Sequence, residues 1–181
     1  KMTVGLELYS YLKEKQINTG FVATGQVGIT VTGKGIPLDA YKLDHACGAV
    51  ESAVMEQKDK DIVVVEGQGS ILHPGSTATL PLMRGTCPTH MILCHIARND
   101  SLRSLENIKI PDLKKFIKLN EELASVIGTY PDTKVIGIAL NTLLMTDEVA
   151  KEFIKKTEEE TGLPATDVIR YGGDKIFSLL I

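Results

Sequence analysis

Apolar residues recur along this chain in two rhythms. Val4, Leu8, Tyr11 and Leu12 repeat at helical spacing and predict an amphipathic helix ending near Gln16, Ile17 and Asn18. Phe21, Val22, Ala23 and Thr24 form a short apolar run stopped by Gly25, the pattern of a buried strand. A glycine-rich loop follows, with Gly25, Gly28, Gly33 and Gly35 closed by Pro37. Leu43, Ala46, Cys47, Val50 and Val54 then mark one face of a second helix expected over 38–57, with Asp44 and Glu51 on its solvated side. The run 61–65 is too short for a helix and continuous in its apolar residues, hence a strand buried on both faces. Further along, the pattern predicts a short helix at 79–84, a strand at 90–95, a third long helix begun by Pro111 and Asp112, and a strand at 134–140. A charged helix over 147–161 closes with Gly162 just past its end and Pro164 beyond.

Strands and helices alternate, and the strands are continuous apolar runs. That combination predicts a three-layer α/β domain with a mainly parallel sheet and helices on both faces. Ligands of such sheets bind beyond the carboxyl ends of the strands. Here those ends carry Thr24-Gly25-Gln26, Glu66-Gly67-Gln68, His95 and Asn141-Thr142. The irregular stretches expected at 25–37 and 67–78, and a lesser one at 96–110, are long for a compact domain and point to use at that rim.

Composition narrows the class. The 181 residues suit one domain at about 150 residues each. Twenty basic against 23 acidic side chains give a net charge of -3, without the basic excess that a nucleic-acid surface needs. The 43% hydrophobic and 24% charged fractions are those of a globular protein. No run approaches the ~18 apolar residues of a membrane span. The charged start is not a secretory leader, and three irregularly spaced cysteines (Cys47, Cys87, Cys94) fit a reducing cytoplasm. The chain opens on Lys1, already inside a helix, which reads as a piece of a longer protein.

Several residues carry candidate chemistry. Lys1-Met2-Thr3 opening a helix is similar to the end of a phosphate-binding loop, G-x-x-x-x-G-K-S/T, where the lysine reaches phosphates and the helix-start N–H groups cradle them. Met2 stands where the Mg²⁺-holding hydroxyl belongs, and Thr3 is about 100° further round the helix. Pyrophosphate binding survives that change better than Mg-ATP hydrolysis. Glu66 ends a buried strand within Glu-Gly-Gln-Gly, whose small Gly67 and Gly69 admit a ligand close to the backbone. His73 in a neighbouring loop and His95 at a strand end are candidate bases, against solvated or structural roles. Cys87, His90, Cys94 and His95 do not make a zinc site. His90 and Cys94 lie roughly 13 Å apart along one strand, and His95 points to the other face. Gln26, Arg98 and Arg103 are candidates for substrate binding, the arginines offering planar forks to two carboxylates.

Ordered strings of residues carry a wider resemblance. Lys1-Met2-Thr3, Phe21-Val22-Ala23-Thr24-Gly25-Gln26, Gly35-Ile36-Pro37-Leu38-Asp39, Val65-Glu66-Gly67-Gln68-Gly69-Ser70, Leu93-Cys94-His95, Gly137-Ile138-Ala139-Leu140-Asn141-Thr142 and Glu160-Thr161-Gly162-Leu163-Pro164 follow one another across nearly the whole chain. In these the chain resembles an uncharacterised P-loop family related to dethiobiotin synthetase, with members described as D-glutamate N-acetyltransferases. The resemblance implies that residues 1–181 form a P-loop NTPase-like domain whose first strand and glycine loop, and a Rossmann-like domain before them, lie ahead of Lys1. It implies acetyl transfer from acetyl-CoA to an acidic D-amino acid. Lys1, Met2, Thr3, Gly67, Gln68, Gly69 and Asn141 would hold the cofactor, with Asn141 at the adenine, as a similar strand-end Asn does in the synthetase. Glu66, His73 or His95 would serve as the base. The alternatives are an ATP-dependent ligase or kinase, in which Glu66 would ligate Mg²⁺, and a non-catalytic nucleotide-binding module. The expected partner is a small acidic substrate, with no nucleic acid or membrane, and a homo-oligomer is left open.

Overall fold

A computed structural model describes residues 1–97, 100–102 and 104–181 of the chain. Its contacts divide it into two compact units, Lys1–Cys87 and Pro88–Ile181.

In the first unit, helix α1 spans Met2–Glu14 and buries Leu8 and Leu12. Its end is shaped by Gln16 in the left-handed region (φ 61°), which turns the Ile17 N–H back onto the Leu12 carbonyl. Strand β1, Thr19–Val22, pairs in parallel with β2, Ile62–Val65, with Thr19 opposite Ile62 and Val22 opposite Val65. Parallel pairing requires a crossover. Here it holds α2 (Gln26–Thr32), a 3₁₀ turn at Leu38–Ala40 and α3 (Leu43–Met55). Helix α3 packs on α4, Thr79–Thr86, around Leu38, Ala46, Val50 and Leu82. The two helices meet at Gly85, where a Cβ would lie 2.3 Å from the Cys47 carbonyl oxygen.

In the second unit, β3 (His90–Ile96), β6 (Lys134–Asn141) and β7 (Ala165–Thr166) form a parallel sheet in the order β3-β6-β7. Between the first two in sequence come the hairpin of β4 (Ser101–Leu102) with β5 (Leu105–Lys109) and helix α5, Leu113–Ser125. Asp112 caps α5 by accepting from the Lys115 N–H at 3.1 Å. Helix α6 runs Asp147–Thr161, between a Thr146 cap and Gly162 in the left-handed region. Two short helices, α7 (Val168–Tyr171) and α8 (Asp174–Phe177), and a 3₁₀ turn at Ser178–Leu180 complete the unit. Ile117, Val135, Ile138, Leu140 and Ala165 make its core.

The expected parallel α/β architecture holds, and helix 147–161 falls where its start and stop signals put it. Four expectations need correction. The first strand, expected at 21–24, lies two residues earlier, at Thr19–Val22, where it pairs with β2. The stretch 25–37 is not all loop, because it contains α2. The predicted helix over 38–57 breaks into a 3₁₀ turn and α3, separated by Tyr41 and Lys42 in extended conformation. The stretch 96–110 contains the β4–β5 hairpin. Among the described residues no helix is long and apolar enough to cross a membrane.

A buried carboxylate fixes the end of β6. Asp167 caps α7 through the Ile169 and Arg170 N–H groups and accepts from the Thr142 N–H at 2.8 Å and the Thr142 hydroxyl at 2.6 Å. Burial alone would raise its pKa, but these four donors outweigh it and hold the carboxyl below its ordinary value of 3.8. Replacement of Asp167 by Ala leaves buried donors unmatched and removes a cap, a loss of about 2–4 kcal/mol by urea denaturation at pH 7. Asp167→Asn, which keeps one acceptor oxygen, loses less. The stability tied to a depressed carboxyl is present above its unfolded-state value and vanishes as pH falls through the folded-state value. The deficit of Asp167→Ala therefore shrinks in acid below about pH 4.

Candidate functional site

At the carboxyl end of β1 the chain is buried and polar at once. Thr24 is 0% exposed. Its hydroxyl donates to the Glu66 carbonyl at 2.7 Å, while its own carbonyl accepts from the Leu38 N–H at 3.2 Å and from the Gln68 side-chain amide. The Glu66 N–H donates to the Val22 carbonyl at 3.0 Å and so extends the β1–β2 ladder by one bond. Two other chain segments thus converge on one threonine.

The segment that follows Glu66 is tied to itself. The Thr79 hydroxyl donates to the Gln68 carbonyl at 3.1 Å, and the Ser70 N–H donates to Ser76 Oγ at 3.0 Å. Gly69 adopts φ +65°, and a Cβ there would strike Ser76 Oγ at 1.9 Å, so glycine is required on both counts. Lys1 Nζ donates to the Gly69 carbonyl, which brings the expected phosphate ligand onto the Glu-Gly-Gln-Gly loop. Met2 is half-buried and Thr3 is exposed on α1.

Glu66 is the unusual member. It is 8% exposed, and its Oε2 is buried with no hydrogen-bond partner among the described residues. Gly28 of α2 closes over that oxygen, since a Cβ there would come within 2.1 Å of it. Burial pushes the Glu66 carboxyl above its ordinary value, while the nearby Thr24 and Gly25 amides and the Lys1 charge pull weakly the other way.

Within this first unit the structure therefore brings together Lys1, Glu66, Gln68 and Gly69. Gln26 opens α2 and donates from Nε2 to Asp39 Oδ2 at 3.1 Å. His73 sits in the turn after Ser70, its Nδ1 accepting the Gly75 N–H at 3.1 Å. That bond puts the ring proton on Nε2, which makes the imidazole a donor at its other nitrogen. In the second unit, His95 lies on β3 opposite Leu140, and burial lowers its pKa. Asn141 ends β6, where its Oδ1 accepts from the Leu143 N–H at 3.1 Å and leaves its NH₂ group to donate outward. Arg98 and Arg103 lie outside the described residues. The tying role of Thr24 and the Asp167 clamp escaped the sequence reading. A threonine inside an apolar run and an aspartate before a four-residue helix carry too little pattern to be singled out.

The donor set fits one expected ligand better than the other. A pyrophosphate would meet the Lys1 ammonium, the charge that a CoA-type ligand needs. Mg²⁺ is served less well, because Met2 stands at the position of its usual hydroxyl ligand. Among the described residues, no three His, Cys, Asp or Glu side chains are grouped to hold a metal ion.

Residues 1–177 match the family model described as a domain of unknown function, the DUF1611 C-terminal P-loop domain. A Pseudoalteromonas protein named D-glutamate N-acetyltransferase is 33% identical over 181 residues, which are 99% of this chain and 54% of that protein. One of the same name from Tritonibacter scottomollicae is 34% identical with the same coverage. The chain spans about half the length of these curated relatives. The crystal structure of a DUF1611 family protein from Anabaena variabilis superposes with a TM-score of 0.96 at 46% identity, covering 99% of this chain and 52% of that one.

The close approach of α2 to Glu66 can be tested directly. Gly28→Ala forces the carboxylate or the helix to move, which costs about 1–3 kcal/mol in urea denaturation. It also brings the Glu66 carboxyl, followed by ¹³C NMR, back toward its ordinary value as water reaches it. Gly48→Ala is the control. Nothing lies within 4 Å of its Cβ position on α3, so it leaves Glu66 unchanged and stabilises by up to about 1 kcal/mol.

Proposed function

The chain belongs to the DUF1611 family of P-loop domains, and from that premise we propose that it carries the base and phosphate-binding parts of an N-acetyltransferase acting on an acidic amino acid such as D-glutamate. The observation behind this reading is the buried, unpartnered Oε2 of Glu66 on a loop that Lys1 also reaches. The name shared by the two curated relatives supports it.

Amine acylation needs a neutral amine, whereas a substrate ammonium is protonated at pH 7. A base must take that proton, and it works best with a pKa near the operating pH. A carboxyl raised by burial is closer to that value than a solvated one. Glu66 would take one proton from the ammonium; the neutral amine nitrogen then bonds to the acetyl carbon as the carbon–sulfur bond breaks, and the second proton shed by that nitrogen goes to the departing thiolate. Acetyl-CoA supplies the thioester-activated acetyl group. The N–H groups of Gly67, Gln68 and Gly69 are the donors for the thioester oxygen, the Ser70 N–H being held by Ser76. Lys1 faces the anionic part of the ligand. Glu66 is preferred to His73 because the basic nitrogen of His73 is occupied by Gly75.

Full-length protein given acetyl-CoA and D-glutamate should release CoA and form N-acetyl-D-glutamate. Glu66→Gln should lower kcat on the order of 10²–10⁴-fold, with His73→Asn and His95→Asn measured beside it. The same variant has a stability signature. A raised carboxyl gives stability below its ordinary value of 4.5 that is lost as pH rises through the folded-state value, and Gln does not lose it. Glu66→Gln therefore gains on the wild type in urea denaturation as pH rises from 5 to 8. Hydrolysis of ATP with a carboxylate substrate, acetyl-CoA being untouched, would show the transferase reading to be wrong.

A further inference from the structure

Beside the Glu66 loop lies a cavity of about 320 Å³ with no assigned occupant. The 3₁₀ turn Leu38–Ala40 forms one wall, and Gln68, Gly69 and Ser76 form another. Both walls are anchored on the same atom, since the Leu38 N–H and the Gln68 amide donate to the Thr24 carbonyl. Leu38 is buried in the helix core, which holds its neighbour Asp39 at the cavity while the carboxylate remains exposed. Asp39 is the only charged side chain among the described residues lining it, and apolar Leu38 and Leu43 stand nearby.

We propose that this cavity receives the amino end of the substrate, with the Asp39 carboxylate accepting hydrogen bonds from a primary ammonium or amine. Three observations carry the assignment. An ionised carboxylate has about four acceptor positions, and Gln26 Nε2 takes one of them at 3.1 Å, which orients the group and leaves the rest for a ligand. As the one charged side chain among the described residues lining the cavity, the Asp39 carboxylate favours a cation there over an anion. The volume stands at the lower end of the roughly 300–1,000 Å³ usual for ligand pockets, which suits an amino acid better than a nucleotide. The same charge repels carboxylates, so an acidic amino acid enters amine first and keeps its acid groups outside. This assignment rests on the acetyltransferase reading for the identity of the substrate and concerns where its ammonium is captured before transfer, since Glu66 does not line the cavity; Gln26 becomes the residue that positions Asp39.

The experiment is calorimetric titration of full-length wild type and Asp39→Asn with D-glutamate and with glutarate, which has the same skeleton without the amine. Wild type should prefer D-glutamate at least tenfold, and Asp39→Asn should lose that preference through weaker D-glutamate binding with glutarate unchanged or tighter. Gln26→Ala, which leaves the charge in place, should weaken D-glutamate binding less. If Asp39→Asn does not fold, Asp39→Glu and Gln26→Ala replace it, and both should lower the preference. A preference that survives these variants, equal binding of both compounds to wild type, or no binding of either overturns the proposal. So does a titration with Mg²⁺ alone in which wild type binds the ion and Asp39→Asn does not. Preference lost in Asp39→Asn without any acetyl transfer by wild type would leave this assignment standing and overturn the reaction instead.

Discussion

The candidate site depends on the hydrogen bonds of Thr24. A residue that ends a buried strand must find partners for its carbonyl and hydroxyl inside the protein, because an unmatched polar group there costs about 1–3 kcal/mol. Thr24 meets that demand by binding two other segments, through the Glu66 carbonyl and the Gln68 amide on one and the Leu38 N–H on the other. The strand, the 3₁₀ turn and the glycine loop are thereby held in one geometry, and the cavity with Asp39 follows from it. A valine would fill similar space but leave the Glu66 carbonyl without its donor.

The close packing around this junction explains why the loops are rich in glycine. Gly35 passes over β1 with its missing Cβ only 2.4 Å from the Ala23 carbonyl oxygen, and Gly28 closes over Glu66. Such approaches exclude water, and exclusion of water is what raises the Glu66 carboxyl. The site's chemistry and its backbone therefore share a cause. Side chains are removed where the chain must come near a charge whose hydration is to be stripped.

Much of this could be read from the chain. Continuous apolar runs located β2, β3 and β6 but set β1 two residues late, and the Gly162 and Pro164 stop placed the end of α6. The Glu-Gly-Gln-Gly string flagged the loop that the structure joins to Lys1. Helix α2 was hidden because Val27, Thr30, Val31 and Thr32 are β-branched and Gly28 lowers helix propensity further. Two of its outward side chains, Val27 and Val31, are each 60% exposed, so no apolar stripe advertised it. Asp39 was passed over for a related reason. It lies between two elements, and its role comes from a cavity built by residues about 30 positions away, a distance that periodicity does not register.

Two buried carboxylates, one in each unit, show how environment separates structure from chemistry. Asp167 is 5% exposed and Glu66 8%, so desolvation presses both toward the neutral form. Asp167 answers with four donors from Thr142, Ile169 and Arg170, and its carboxyl ends up held low. Glu66 has one oxygen without a partner among the described residues, and burial holds its carboxyl above the ordinary value. A saturated carboxylate has no vacant lone pair to offer a substrate and acts as a pin for the chain. An unsaturated one keeps the free energy of an unmade hydrogen bond, which a substrate N–H can recover on binding. That difference in bonding, rather than burial or position at a strand end, is what distinguishes Glu66 from Asp167 as the base we propose.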